Sequence, residues 1–162
     1  MFNFVILNSK ERKKIFEKLE EQFGCDTEFL KQFVFLFKEH DGRVHICNRA
    51  VAEELANAGL RVDSAGLYIA TLLENGELRL SIEGSQVVGP HAKTNVLEIT
   101  AKEFQQWIRG HAIEKETDLK GFLIVKHGED FCGCGKPVRD EKTGTISIHN
   151  YIPKTRYVRS EE

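Results

Sequence analysis

"KHGEDFCGCGKP", residues 126–137, sets three glycines, two cysteines and two lysines in twelve consecutive positions. It can be read as a phosphate cradle, a metal knuckle or a tight bend in a small β-barrel, and the choice decides both fold and function. A phosphate loop needs G-x-x-x-x-G-K-[ST] opening a helix, so that backbone amides and the helix end converge on the phosphates. Gly128 and Gly133 have that gap, but Cys134 stands where the lysine belongs and Lys136 is followed by Pro137. Structural zinc favours C-x₂₋₄-C pairs. Cys132 and Cys134 are one residue apart, a spacing that on a regular strand turns both thiols to one face. Cys25 and Cys47, the remaining cysteines, lie in the other half of the chain, so thiols that fill a core are the preferred reading. The segment is therefore expected to be a glycine-rich bend across 128–136, following the strand "GFLIVKH" at 121–127.

Working outward toward the C-terminus, Thr143-Gly144 marks a turn, and "TISIHNYIPKTRYVR" reads as one or two strands broken near Pro153. Upstream, "NVLEI" is a short strand. "AKEFQQWIR" is a helix with capping-box spacing between Thr100 and Glu103, closed by Gly110. "GPHAK", residues 89–93, reads as a junction. Several short strands around one helix suggest a small, partly open barrel.

The first half has its own pattern. "SKERKKIFEKLEEQF" at 9–23 places Ile15, Phe16, Leu19 and Phe23 on one helical side, with Asn8 or Ser9 as cap and Gly24 as stop. Strands are predicted near 33–38 and 43–47 around Asp41-Gly42. Asn48 caps "RAVAEELANA", and Gly59 ends it. Asn75-Gly76 joins two further strands, and the alternation of Leu78, Leu80 and Ile82 with Arg79 and Ser81 gives one buried and one wet face. The expected fold class is α+β, with a small α/β domain over 1–88 and a β-barrel domain over 89–162.

Composition excludes several function classes. With 162 residues, 41% hydrophobic and 30% charged, the chain is an ordinary globular one. No apolar run approaches the roughly 20 residues of a membrane helix. "MFNFVIL" lacks the basic lead of a signal peptide, so a reducing cytosol is the expected compartment. No dinucleotide fingerprint occurs. The six histidines (40, 45, 91, 111, 127, 149) show no metal or protease spacing. An enzyme built on Cys132, Cys134 and His127 remains a rival reading, and no catalytic residues, cofactor or metal are expected. The net charge of −2 hides an asymmetry: Gly135–Arg159 holds six basic residues against two acidic ones, a surplus of four that leaves the rest at −6. Such a field acts over about 8 Å at physiological salt and can bind a polyanion, while a solvated strand face is the equal alternative on charge alone.

The C-terminal stretch resembles a known family. The strand at Phe122, Ile124 and Val125, the turn at Gly128, Phe131-x-Gly133-x-Gly135-Lys136 and Asn150-Tyr151-x-Pro153-Lys154-x-Arg156 are similar to the RNA-binding PUA domain of Sun-type RNA cytosine-5 methyltransferases. "EFQQWIRG" resembles the helix near the start of that domain. "SAGLYIATLLENGELRLSIEG" followed by "VVGPHAK" looks like the pre-PUA domain of eukaryotic and archaeal ribosome-biogenesis proteins. The catalytic methyl-donor domain of the Sun-type enzymes has no counterpart here. The resemblance implies a PUA-like RNA-binding protein without chemistry of its own, acting on ribosomal or transfer RNA.

With that resemblance in hand, the candidate RNA contacts are Lys136, Lys154, Arg156, Arg159, Arg109 and Lys93 for phosphates, with His111 beside Arg109. Tyr151 is the candidate for stacking; Gly133 and Gly135 would let an RNA backbone or a packed partner strand approach closely, and read equally well as a barrel bulge. Lys154 and Arg156 share a face if that segment is extended. A scaffold that docks an RNA methyltransferase or ribosome-assembly factor through the acidic first domain is the alternative.

Overall fold

The computed structural model describes residues 4–59, 62 and 64–159. Among these residues, two five-stranded sheets and four helices form an α+β arrangement.

The first unit is an antiparallel meander. Strand β1 (Val5–Ile6) leads into α1 (Ser9–Phe23), a 3₁₀ turn at Glu28–Gln32, β2 (Val34–Lys38) and β3 (Arg43–Cys47). Then come α2 (Arg49–Asn57), β4 (Leu67–Leu72) and β5 (Leu78–Leu80), in the spatial order β1-β2-β3-β4-β5. The capping box forms as its spacing predicts: the Glu11 amide donates to Asn8 Oδ1 at 2.9 Å, and the Asn8 amide donates to Glu11 Oε2 at 2.8 Å. The predicted apolar stripe of α1, Ile15, Phe16, Leu19 and Phe23, is buried on the sheet with Phe35, Val44, Ile69 and Leu78.

The alternation read through Ile82 stops two residues earlier. Residues 82–88 form a short helix, α3 (Ile82–Val88), capped by Ser81 Oγ accepting from the Gly84 amide at 2.9 Å. The helix lies flat on β4: a Cβ at Gly84 would stand 1.7 Å from the Ile69 carbonyl oxygen. Its β-branched ends and central glycine hide it from propensity, and tertiary packing decides.

A 3₁₀ turn at Gly89–His91 leads into the second unit: β6 (Val96–Glu98), α4 (Ala101–Trp107), β7 (Ile113–Glu114), β8 (Leu123–His127), β9 (Asp130–Arg139) and β10 (Ile146–Asn150). The sheet runs β6-β8-β9-β10-β7, with β6 parallel to β8, and curls into a half-barrel. The Thr100–Glu103 capping box of α4 is present as predicted, while β7 is too short to leave a period in the sequence.

The quoted dodecapeptide is not a nine-residue bend. Only Gly128 and Glu129 turn, and β9 then runs unbroken for ten residues. Inside it, Cys132 and Gly133 together oppose the single residue Val125, a β-bulge with Gly133 at φ +91°, a backbone conformation open mainly to glycine. The extra residue shifts the side-chain alternation by one. Cys132 therefore points into the barrel core with Leu97, Trp107, Val125 and Ile148, whereas Cys134 points out into the core of the first unit with Leu78, Leu80 and Phe35. The expectation that both thiols share a face is corrected by this bulge.

Strand β8 follows the same division, with Leu123 and Val125 inward and Ile124 outward, as is Phe122 just before it. Both faces of its sheet are thus covered, which explains an apolar run without period-two alternation. The core of the first unit takes in Phe122, Ile124 and Cys134 of the second, while the barrel keeps a core of its own; α3 lies on β9 with Ser85 Oγ accepting from the Gly133 amide at 2.8 Å.

Candidate nucleic-acid interface

Three elements position the predicted contacts: the outer end of β9, the C-terminal segment after β10, and the end of α4. The C-terminal segment is extended only as far as Pro153. Residues Lys154–Arg156 form a 3₁₀ turn, closed by the Arg156 amide on the Pro153 carbonyl at 2.8 Å. The expectation that Lys154 and Arg156 share a strand face is corrected accordingly; they project from one tight turn. Beyond it, the Tyr157 ring packs on Gly110, so closely that a Cβ there would sit 2.2 Å from the ring. The Val158 amide donates to the Ile108 carbonyl at 2.9 Å.

These contacts bind the chain end to the end of α4. Exposed Arg159 follows Val158, and exposed Arg109 follows its acceptor Ile108. Lys154, Arg156, Arg159 and Arg109 thereby decorate one segment and the helix end it crosses. Arg109 and His111 also border a shallow groove of about 680 Å³ with Thr100, Lys102, Gln106 and Glu114. Glu103 sits in this groove bonded to Lys115 at 3.0 Å. Burial works to raise its carboxyl pKa, but hydrogen bonds from Thr100 and Lys115 prevail and hold it below the usual range.

Lys136 and Tyr151 meet through a third residue. Lys136 Nζ lies 4.7 Å from the Phe122 ring centre, and Tyr151 meets the same ring edge to face at 5.4 Å. Tyr151 is 36% exposed, and Arg79 of β5 stacks over its ring at 5.2 Å. Arg79 is absent from the predicted set. Its only sequence signal is its place as the wet residue between Leu78 and Leu80.

Two predicted cations are held by acids of the first unit: Lys136 by Glu77 at 3.6 Å and Arg156 by Glu83 at 2.7 Å. Among the described residues, no ion pair engages Lys154, Arg159, Arg109 or Lys93. Lys93 stands apart from the rest, beside the end of α1, with its amide on the Phe23 carbonyl at 2.8 Å.

Gly133 and Gly135 are buried. A Cβ at Gly135 would meet Ile148 at 2.7 Å and Trp107 at 2.9 Å, and the Gly133 amide is spent on Ser85. The close approach these glycines permit is made by protein atoms, and neither offers a surface to a ligand.

The cysteines behave as packing atoms. Burial pushes the Cys132 thiol up to about 11 and the Cys134 thiol up to about 12. Cys132 Sγ donates to the Asp130 carbonyl, while His127 Nδ1 pairs with the Ile99 carbonyl and its ring stacks on Phe104. The described residues contain no cluster of three metal-ligating side chains. Among the described residues, no helix is long and apolar enough to cross a membrane.

Comparison with known proteins divides the chain as the fold does. Residues 94–156 match the family model described as the methyltransferase RsmF PUA domain. Residues 6–82 match the model described as the NIP7/UPF0113 pre-PUA domain. No curated protein matches the chain. The first unit is thus similar to the NIP7-type pre-PUA domain and the second to the RsmF-type PUA domain, an order consistent with a pre-PUA–PUA protein.

Proposed function

We propose that this protein binds RNA without catalysing a reaction on it, and that it serves ribosome biogenesis or RNA modification on ribosomal or transfer RNA. Residues 1–88 and 89–162 are the working units of this reading, joined through α3. The observation that carries it is the fastening of the C-terminal segment to α4 by Tyr157 on Gly110 and Val158 on Ile108. That fastening holds the backbone that carries Lys154, Arg156 and Arg159 against the end of α4, next to Arg109, and in this reading the four cations form one ledge; Lys136 and the Arg79–Tyr151 stack bridge the two units. Phosphate contacts of this kind fix register and supply affinity, and the exposed ring adds stacking to unpaired bases. Both matched domain types support RNA as the ligand class. Sequencing of RNA crosslinked to the protein in its own cells tests the reading; recovery of ribosomal or transfer RNA is expected, and an unenriched background would defeat it.

A second reading has its own observation. Strand β1 is the edge of the first sheet and exposes Val5 and Ile6, 41% and 45% accessible, beside a groove floored by Val34, Ala52 and Ala56. An edge of this kind suits a protein partner, which in this reading is an RNA methyltransferase or assembly factor.

A further inference from the structure

Where α3 faces α4 across the joint of the two units, there is a cleft of about 240 Å³. Its apolar walls come from both units: Ile82 from α3, Phe104 of α4 and Ile108 at its end, Phe131 from β9, and Ile152. Three exposed polar residues complete it, Gln86, Asp130 and Arg156. The volume is below the roughly 300–1,000 Å³ of small-molecule sites, so the cleft takes one ring system rather than a whole ligand.

The chemistry of the lining narrows the occupant. Aromatic and branched aliphatic walls suit the faces of a planar ring. The Gln86 amide both donates and accepts, and the Asp130 carboxylate accepts, which matches the N–H and carbonyl groups on the edge of a nucleobase. An aliphatic side chain of a protein partner would fill the walls but make no use of either polar group. Arg156 stands in the lining with one N–H on Glu83 and other donors in hand for a phosphate. From this arrangement we propose that the cleft receives one unpaired nucleobase of the strand whose phosphates run along Lys154 and Arg156. This rests on the RNA-binding reading and deepens it: the ligand is single-stranded at this point, because a stacked and paired base cannot enter.

The test uses the full chain and two fluorescein-labelled probes at fixed salt, a short mixed-sequence single-stranded oligoribonucleotide and a duplex of the same length, read by anisotropy. Gln86 is exposed on α3, so Gln86→Trp plugs the cleft without touching the core. Loss of one stacked base corresponds to about tenfold in affinity. Gln86→Trp is expected to weaken single-strand binding by about that factor and leave duplex binding unchanged, while K154E/R156E weakens both. Gln86→Leu keeps the bulk and removes the polar edge; a several-fold loss on the single strand alone is expected, and it decides the matter if the tryptophan variant fails to fold. Unchanged single-strand affinity in a folded Gln86 variant overturns the cleft while RNA binding stands. Failure of the wild-type chain to bind either probe overturns the RNA reading, and the cleft with it.

Discussion

Arg156 on the C-terminal turn donates to Glu83 at the start of α3 at 2.7 Å, so one of the barrel's cations is held by a carboxylate of the other unit. Both side chains remain partly exposed, and pairs of this kind contribute about 0–1 kcal/mol to stability. Glu83→Gln is therefore expected to leave the thermal midpoint almost unchanged. It removes a negative charge beside the phosphate path, so RNA affinity should rise by a few-fold in anisotropy titrations. A fall in affinity would show that Glu83 orients Arg156 productively rather than competing with RNA.

The charge reversal Lys154→Glu with Arg156→Glu addresses the ledge directly. Each lost phosphate contact is worth on the order of 1 kcal/mol, so affinity should drop tenfold or more. Both residues are exposed, so the circular dichroism spectrum and thermal midpoint should stay near wild type. Unchanged binding would remove these residues from the interface.

Gly84 tests the seating on β4 of α3, the helix through which the first unit meets the second. An alanine Cβ there would fall 1.7 Å from the Ile69 carbonyl, a clash with backbone that no rotamer relieves. Overpacking typically costs 1–3 kcal/mol, and Gly84→Ala should reach at least about 3. The urea midpoint reads it, and an unaltered midpoint would contradict the close seating of α3 on β4.

His45 predicts a dependence on pH. It is 3% exposed, packed between Phe4 and Tyr68, and its Nδ1 has no hydrogen-bond partner. Burial lowers its pKa below the ordinary 6.5, with nearby Arg43 adding to the effect. The unfolded chain then takes up the proton first as pH falls below about 6.5, and the folded state loses stability from there downward. Urea midpoints measured from pH 7.5 to 5 should fall in the wild type and fall less in His45→Phe. Parallel curves would assign the acid sensitivity to other groups.

Much of the fold was legible in the sequence where local chemistry decides. Asn8 with Glu11, Thr100 with Glu103, Asp41-Gly42 and Asn75-Gly76 each mark a boundary that the structure keeps. What escaped is set by tertiary contact. The helix at 82–88 exists because Gly84 lets it lie on β4, and the long strand at 130–139 survives two glycines and a proline because both of its faces are packed. The glycines illustrate the limit for the site. Spacing shows that Gly133 and Gly135 remove side chains, but not that Ser85, Trp107 and Ile148 occupy the room. Arg79 was hidden for the converse reason, since its ring partner Tyr151 lies 72 residues away in sequence.

The central claim is that a cationic ledge neutralises RNA phosphates, and ionic strength interrogates it most directly. Four or five such contacts on a single or irregular strand predict a log–log slope of affinity against salt of about −3 to −4, since each neutralised phosphate contributes roughly −0.7. The K154E/R156E chain should give a slope shallower by about 1–2. A wild-type slope near zero between 50 and 200 mM salt, a range over which about four to five phosphate contacts should visibly weaken, would contradict the account.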